Sequence, residues 1–458
     1  MEKKKLDSNE PLTRRRLREA RGQHATNRLA HPASLGSPPP QLKELSVPVP
    51  AAAKDLKWTG ILEAYDEDYD RVQSKVPKKL RKFENLHFFA KTAQDDGVLE
   101  EFATSGDCNV VATDTVLAHL MTCTRSVFPW DIVATYANGT VVLDVREPLV
   151  FELHSVAETA SLLPTESEMR DPNGRALLSI EATTINDYFS QQVLAVNNNK
   201  TPQPPSAKEA RPAENSLWDP VAAAAEAAAE TAEGEAPKAP KTPAAGAFRY
   251  RSWALGKDIQ LVARTSVHAV LRKKGSSESS TPPHYLQLYS LNEWDSKLAG
   301  IPEWKGLIDM QRGNVLSTEI KNNAFKLAKF TANAILSGVD SLRLGFVSRA
   351  SRGDNENHVI VGTQVTAPAS FATQLQLDQK NMWGIVKWLV DMVRKHAKNL
   401  QESTPDDEYL AKFVLARDPA HPQVHFFNVP VDAFDREEEI RDDDDEDEER
   451  WEADEKAE

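Results

Sequence analysis

Four residues in the middle of the chain have the types that a metal-dependent nuclease uses. Glu293 and Asp295 are separated by one residue, and so are Glu319 and Lys321. If each pair lies in a strand, its two side chains project from one face of the sheet. Carboxylate oxygens then hold a hard divalent cation while the lysine contacts a phosphate. The alternative is a set of ordinary surface charges, since 27% of the residues are charged.

The spacing of neighbouring residues predicts the elements that position these groups. Alternation of Val315, Ser317, Glu319 and Lys321 predicts a strand over residues 315–321.

A helix is predicted next, over residues 322–338, with Asn322 or Asn323 as its N-cap and Gly338 just past its end. Its apolar stripe has helical spacing and consists of Phe325, Ala328, Ala332 and Ile335.

Mixed strands and helices elsewhere predict an α+β fold with mixed β-sheets flanked by helices. Helices are predicted over residues 113–124 and from Asp378 to Lys398, and strands over 179–188 and 342–348. A hairpin is predicted around Asn138-Gly139, because this dipeptide suits a two-residue hairpin turn.

Composition divides the chain into a basic start and an acidic end. Residues 1–31 hold 9 Lys and Arg against 4 Asp and Glu, whereas residues 431–458 hold 17 Asp and Glu against 4 Lys and Arg. We predict a disordered arm over residues 1–53, a domain over 54–432 and a disordered acidic tail over 433–458. A low-complexity insertion rich in Pro, Ala and Glu interrupts the domain at 197–247.

The two cysteines, Cys108 and Cys123, argue against a disulfide framework or a thiolate metal cluster. The sequence has neither an apolar secretory signal nor an apolar run of membrane-spanning length. We therefore expect a cytoplasmic or nuclear protein, with the cytoplasm preferred, and with no membrane segment and no cofactor.

Several motifs resemble known families. The region from Glu319 to Phe346 resembles the decapping exoribonucleases, whose Glu-x-Asp and Glu-x-Lys motifs bind metal. From residue 60 to 432 the chain is more similar to the family of D subunits of eukaryotic translation initiation factor 3. The motifs that carry this second resemblance are Ala112-Thr113-Asp114, Cys123-Thr124-Arg125-Ser126-Val127, Trp130-Asp131-Ile132-Val133, Phe189-Ser190-Gln191-Gln192, Leu291-Asn292-Glu293-Trp294-Asp295-Ser296, Gln311-Arg312-Gly313, Thr318-Glu319-Ile320-Lys321-Asn322-Asn323 and Leu344-Gly345-Phe346-Val347-Ser348-Arg349.

This resemblance implies a decapping-exoribonuclease-like fold that binds the mRNA 5′ cap and is not an enzyme. The implied partners are the e subunit of the factor, its a and c subunits, the small ribosomal subunit and capped mRNA. The excursion between Asp144 and Glu181 would gate RNA entry. The implied cap surface combines a helix that carries Asp114, Val127 and Phe128 with a strand that carries Thr183, Asn186 and Asp187.

The chemistry of a methylated cap agrees with these residue types. The methylated guanine is positively charged, so an aromatic face and a carboxylate hold it. Arg125, Lys321 and Arg349 are candidates for phosphate contacts. Core packing remains the alternative for each aromatic residue. Two functions compete with cap binding: a metal-dependent nuclease that uses Glu293, Asp295, Glu319 and Lys321, and a scaffold.

Overall fold

The computed structural model describes twelve stretches of the chain. They are residues 41–83, 86–87, 92–146, 151–159, 174–196, 242–271, 282–294, 296, 302–403, 410–419, 424–431 and 433–434. The predictions for residues 1–40, for Asp295, for nearly all of the insertion and for the tail beyond Phe434 concern residues outside this set.

Helices and strands alternate irregularly along the described residues. In chain order they are β1 (Lys54–Ile61), β2 (Lys78–Lys79), β3 (Leu86–His87), α1 (Gly97–Ser105), β4 (Val110–Thr113), α2 (Asp114–Thr122), β5 (Trp130–Ala137), β6 (Thr140–Asp144), α3 (Arg175–Gln192), β7 (Thr242–Pro243), β8 (Gly246–Leu255), β9 (Ile259–Val267), β10 (Ala269–Leu271), β11 (His284–Asn292), α4 (Trp304–Asn322), α5 (Ala324–Ser337), β12 (Ser341–Arg349), β13 (His358–Thr366), α6 (Pro368–Gln374), α7 (Gln379–Ser403), β14 (Leu410–Arg417) and β15 (Val424–Val429).

Two mixed sheets form the framework. The larger has the order β1-β8-β9-β4-β6-β5-β14-β15, and the smaller has the order β10-β11-β12-β13-β2. In the smaller sheet β11 and β12 are parallel, and α4 and α5 form the crossover between them. A short parallel pair joins β3 to β7. The predicted arrangement of mixed sheets with flanking helices is confirmed.

Helix α5 joins the two main apolar cores. Ala332 and Leu336 belong to the core that the larger sheet shares with α2 and α7, whereas Leu327 and Phe330 belong to the core beside the smaller sheet. A helix with apolar residues on several faces is buried on several sides. The predicted helix over 322–338 is confirmed, and it ends where Gly338 adopts a left-handed φ of 63°.

The strand predicted over residues 315–321 is wrong, because these residues form the second half of α4. Val315, Leu316 and Glu319 are buried, which is the spacing of one helical face. Residues two apart point to different sides of a helix, so Glu319 is buried whereas Lys321 is exposed. The backbone at Gln311 is non-helical, with φ −134° and ψ 38°, and it kinks α4 before this segment.

The strand predicted over residues 179–188 is also wrong. These residues lie within α3, an 18-residue helix. Its apolar residues Leu178, Ala182, Ile185 and Phe189 are buried at spacings of three and four residues, as expected for a helix. Polar residues between them conceal this periodicity in the sequence.

The other predicted elements agree with the structure. Strand 342–348 lies in β12, and residues 113–124 contain α2. Asp378 precedes α7 and accepts a hydrogen bond from the backbone N–H of Lys380 at 2.9 Å. The hairpin at Asn138-Gly139 joins β5 to β6, and both turn residues have positive φ.

Two predicted boundaries need correction. The arm does not extend to residue 53, because Leu42 is 5% exposed and packs in the core beside α7. The side chain of Asn381 donates to the carbonyl oxygens of Leu42 and Leu45, at 2.7 Å each. At the other boundary, the insertion ends before residue 247, since β8 starts at Gly246.

Candidate nucleic-acid interface

A cavity of about 290 Å³ lies where the parallel strands β11 and β12 end. The carboxyl ends of parallel strands are a common place for ligand sites in α/β sheets. We call this cavity the strand-end pocket. Its lining residues come from α3, the two strand ends and the start of α4: Leu178, Glu293, Trp294, Ser296, Glu303, Lys305, Arg349, Ala350, Ser351 and Arg352.

Three cationic side chains lie around the strand-end pocket. The guanidinium of Arg349 is bound by the carboxylate of Glu181, so its position in the wall is fixed. The ammonium of Lys305 donates to the carbonyl oxygen of Ala350 at 2.9 Å. Arg352 is exposed at the rim. These groups supply positive charge next to a carboxylate-containing cavity.

Glu293 and Trp294 contribute the pocket wall that follows β11. The carboxylate of Glu293 accepts a hydrogen bond from the backbone N–H of Trp304, the first residue of α4. Burial raises the pKa of Glu293. The indole Nε1 of Trp294 is buried without a hydrogen-bond partner among the described residues. This ring therefore contributes an aromatic surface to the pocket, while its N–H points away from solvent.

Helix α3 connects the strand-end pocket to Phe128. The guanidinium of Arg175 lies 5.0 Å from the centre of the Phe128 ring. One turn further along α3, Leu178 lines the pocket and belongs to the small apolar cluster against which Trp294 packs. Residues three apart share a helix face, so Arg175, which contacts Phe128, and Leu178, which lines the pocket, lie on the same face of α3.

The side chains of Asp114 and Arg125 form hydrogen bonds with backbone groups of the fold. The sequence predicted both of them as cap contacts. Asp114 is 3% exposed, and it accepts hydrogen bonds from the N–H of Thr115 at 2.9 Å and of Ser266 at 2.7 Å. Arg125 donates to the carbonyl oxygen of Leu375 at 2.6 Å and to the next carbonyl at 2.9 Å. Burial lowers the pKa of Arg125. Both side chains connect elements of the fold.

Thr183 and Asn186 are likewise buried, on α3 rather than on a strand. The hydroxyl of Thr183 accepts from the N–H of His154 at 2.8 Å, and the amide oxygen of Asn186 accepts from the N–H of Ser290 at 3.0 Å. Asp187 is half-buried on the same helix.

The remaining predicted contact residues are more accessible. Val127 is 39% exposed, and Phe128 is half-buried beneath Arg175. Lys321 is exposed near the end of α4. Of the nine predicted residues, only Arg349 is among those that line the strand-end pocket.

Glu293 and Glu319, the two predicted metal ligands among the described residues, both accept hydrogen bonds from protein groups. Glu319 is 5% exposed, and its carboxylate accepts from the amide of Asn323 at 2.9 Å. Burial raises its pKa to about 7; Glu293 and Glu158 add to the shift, while Lys326 and Asn323 oppose it. The carboxylate that the sequence offered as a metal ligand is therefore buried in the fold and hydrogen-bonded to a protein amide. Within the described residues, no three His, Cys, Asp or Glu side chains cluster as a metal site would require.

Glu158 is a buried acid that the sequence did not single out. Its carboxylate accepts from the backbone N–H of Phe325 at 2.8 Å and of Lys326 at 2.9 Å, so it caps the start of α5. Burial lowers the pKa of Lys326, and that of Lys329 to about 8. Nothing in the local sequence distinguishes Glu158 from the other acids of its excursion, because its partners lie about 167 residues away.

Comparison with solved structures finds similar chains at low sequence identity. The chain is similar to a mutant Rai1 from S. pombe in complex with 3′-FADP, with a TM-score of 0.45 and 10% identity over 85% of this chain and 98% of that one. It is also similar to Scheffersomyces stipitis Rai1 in complex with (3′-NADP)+ and calcium, with a TM-score of 0.44 and 11% identity over 88% of this chain and 95% of that one.

Sequence comparison then gives the family. Residues 37–428 match the family described as eukaryotic translation initiation factor 3 subunit 7, and the chain belongs to it. It is 38% identical over 396 residues to the D-2 subunit of this factor from Drosophila mojavensis, and 37% identical over 400 residues to the D-2 subunit from Drosophila willistoni. These matches cover 86% of this chain but only 63% and 64% of the two relatives. The chain is therefore a member of a family of translation initiation factor subunits.

Within the described residues, no helix is both long and apolar enough to cross a membrane.

Proposed function

We propose that this protein binds the 5′ end of capped mRNA as a subunit of translation initiation factor 3 and recruits that mRNA to the small ribosomal subunit. Family membership supports the assignment to the factor. The observation that carries RNA binding is the strand-end pocket, which combines an indole, two carboxylates and three cations around about 290 Å³.

These groups match the parts of a cap. The ring of a methylated guanine carries positive charge, so it is attracted to the face of Trp294 and to the carboxylate of Glu303. The linked phosphates are negative and pair with Lys305, Arg349 or Arg352. Phe128 and Lys321 extend the proposed surface, and Asp187 remains a proposed contact on α3. In this proposal, Asp114, Arg125, Thr183 and Asn186 support the surface from behind.

Binding is favoured over cleavage by the surroundings of Glu319. Hydrolysis with divalent metals needs ionised carboxylates that point at the cation. The carboxylate of Glu319 instead accepts a hydrogen bond from the amide of Asn323, while Lys321 is exposed on a different side of α4.

The proposed partners follow from the family and from charge. We propose contacts with other subunits of the factor, namely the e subunit and the a and c subunits, within a cytoplasmic complex. The basic segment 1–31 and the acidic segment 431–458 are suited to electrostatic contacts with such partners or with the ribosome.

One experiment tests the proposal against both alternatives. The purified protein is incubated with capped, end-labelled RNA and magnesium or manganese, and cross-linking to the cap is measured with and without a cap-analogue competitor. Competable cross-linking without cleavage is expected. A metal-dependent cleavage product would support the nuclease instead, and the absence of both would leave a scaffold.

Variants then test the strand-end pocket. Trp294→Leu and Arg352→Glu should each reduce competable cross-linking at least tenfold. Lys395→Glu, which makes the same charge change on an exposed part of α7, serves as the control for Arg352→Glu and should leave cross-linking unchanged. Equal cross-linking by all three variants would show that the strand-end pocket does not bind the cap. Phe128→Leu tests the neighbouring surface separately.

A further inference from the structure

The strand β2 lies within a strongly basic segment at the edge of the smaller sheet. Residues 71–83 contain six Lys and Arg and no Asp or Glu. We call residues 78–82 of this segment the basic edge. Lys79, Arg81 and Lys82 are exposed there, whereas Leu80 between them is 4% exposed and packs in the core. The charged side chains therefore face outward, while Leu80 anchors the segment to the core.

The backbone of the basic edge is held in an extended form. Lys78 and Lys79 pair with β13, and the N–H of Leu80 donates to the carbonyl of His358 at 2.9 Å. The side-chain amide of Gln192, the last residue of α3, donates to the carbonyl of Lys79 at 2.9 Å. Its oxygen accepts from the N–H of Arg81 at 2.7 Å. Lys79 and Arg81 are thus presented two residues apart along a rigid, extended backbone.

Aromatic rings adjoin these cations. The guanidinium of Arg81 lies 5.4 Å from the centre of the Phe83 ring, and that ring lies 6.1 Å from the ring of Tyr188 on α3. Phe83 and Tyr188 are both half-buried. Cations that alternate with partly exposed aromatic faces are the combination that binds single-stranded nucleic acid.

The basic edge lies close to the strand-end pocket. The ammonium of Lys82 pairs with Glu356 at 3.4 Å. Glu356 belongs to the short connection between β12 and β13, and Arg352 of the same connection lines the pocket. An RNA strand that leaves the pocket past Arg352 therefore meets Lys82, the partner of Glu356, and then Arg81.

We infer that the basic edge binds the sugar–phosphate backbone of single-stranded RNA and that the stretch of RNA that follows the bound end lies along it. Lys79 and Arg81 pair with successive phosphates, and Phe83 stacks on a base. Only the direction of the RNA rests on the proposed function, since backbone binding itself does not require a cap. An acidic protein partner would suit the charges but would make no use of the adjoining aromatic faces.

The test uses an uncapped oligouridine and the double variant Lys79→Ala/Arg81→Ala. The control is Lys395→Ala/Lys398→Ala, which removes two exposed positive charges from α7. Affinity is measured at several salt concentrations, and thermal unfolding checks that both variants are folded. The slope of log affinity against log salt should decrease in magnitude by about 1.4 in the test variant, because each phosphate contact to a single strand contributes about 0.7. The slope of the control should match that of the wild type.

A third variant separates stacking from charge. Phe83→Leu should weaken binding of the oligouridine by about fivefold or more while leaving the salt slope unchanged, because stacking releases no counterions. An unchanged slope in Lys79→Ala/Arg81→Ala would overturn the inference and would leave these side chains as charges that prevent edge-to-edge pairing of sheets. The inference would also be overturned if Lys79→Ala/Arg81→Ala weakened binding of an acidic peptide but left binding of the oligouridine unchanged.

Capped RNA distinguishes failure of this inference from failure of the proposed function. If the basic edge acts as inferred, Lys79→Ala/Arg81→Ala still shows cap-analogue competition on a short capped dinucleotide. If the double variant binds oligouridine with an unchanged salt slope while cap competition is intact, only the role of the basic edge is rejected. If neither the wild type nor any variant shows cap competition, while the double variant has the reduced salt slope with oligouridine, only the proposed cap binding is rejected.

Discussion

Glu181 binds Arg349 in a bidentate pair, with 2.8 Å between Oε1 and Nε and 2.5 Å between Oε2 and Nη2. The carboxylate also contacts Nε2 of His358 at 2.8 Å. Glu181 is on α3, Arg349 ends β12 and His358 starts β13. One buried carboxylate therefore connects three elements in the wall of the strand-end pocket, and Arg349 is pre-positioned before any phosphate arrives.

Glu181→Gln should destabilise the protein by about 3 kcal/mol, because it leaves the buried guanidinium of Arg349 without its counter-charge. Urea unfolding at neutral pH measures this loss. Glu356→Gln is the control, since its ion pair with Lys82 is exposed and contributes little. Equal stability of the two variants would mean that the buried pair does not hold the wall.

The same carboxyl group predicts an acid dependence. Burial raises the pKa of Glu181, but hydrogen bonds from Arg349 and His358 outweigh this effect, and the net pKa is lowered. The unfolded chain therefore takes up this proton at a higher pH than the folded chain does. The stabilisation is present near neutral pH and is lost as the pH falls through the lowered pKa. The difference between wild type and Glu181→Gln should narrow accordingly in acid, and a difference that stays constant would contradict the assignment.

Glu319 predicts a dependence of the opposite sign. Its folded pKa of about 7, raised by burial, exceeds the ordinary value of 4.5, so between these values the folded chain binds the extra proton. Its contribution to stability therefore declines as the pH rises from about 5 to 8. Glu319→Gln should remove this decline in urea unfolding. Ser317→Ala, at a nearby exposed position of α4, should retain it, and an unchanged decline in Glu319→Gln would refute the shift.

Gly345 gives a packing prediction on β12. A Cβ atom added there would lie 2.3 Å from the ring of Phe189, a fully buried residue of α3. Gly345→Ala should therefore cost about 2 kcal/mol or more. Gly353→Ala is the control, because no atom lies within 4 Å of its added Cβ, and it should change stability by less than about 0.5 kcal/mol.

Rescue makes this test specific. Phe189→Leu removes ring atoms from the contact, so Gly345→Ala should cost less in that background. A full additive cost in the double variant would show that the destabilisation has another origin.

The contact between Asn381 and residues 42–47 predicts that this segment opens more often when the Asn381 side chain is removed. Asn381→Ala removes both hydrogen bonds to the carbonyls of Leu42 and Leu45. The amide of Val47, which donates to the carbonyl of Lys380 at 3.1 Å, should then exchange its hydrogen about tenfold faster. Lys380→Ala keeps that carbonyl and should leave the exchange rate unchanged. Equal rates in both variants would show that Asn381 does not hold this segment.

Local patterns predicted some elements correctly because their determinants lie within one element. The stripe of α5 predicts the helix and the terminal glycine predicts its end. The Asn138-Gly139 turn predicts its hairpin in the same way, since positive φ is required there. By contrast, alternation at Val315, Ser317 and Glu319 is compatible with either period over such a short run, and the structure resolves it as helix.

The candidate site was harder to predict, because its contacts join distant residues. Trp294 stood inside the motif that first suggested a metal site, yet its role in the pocket depends on Leu178 of α3. Asp114 had the right type for a cap, but Ser266 occupies its carboxylate from 152 residues away.

The sequence by itself determined the family, the opposite charges of the two ends and several of the helices and strands, because composition, motifs and periodicity are properties of the chain. Only the tertiary structure decided which charges are available. Burial and hydrogen bonds within the fold engage Glu319 and Asp114 and fix Arg349, while they leave Lys79 and Arg81 facing outward. The Glu-x-Lys motif that first suggested metal chemistry is therefore separated by a helix into one buried group and one exposed group.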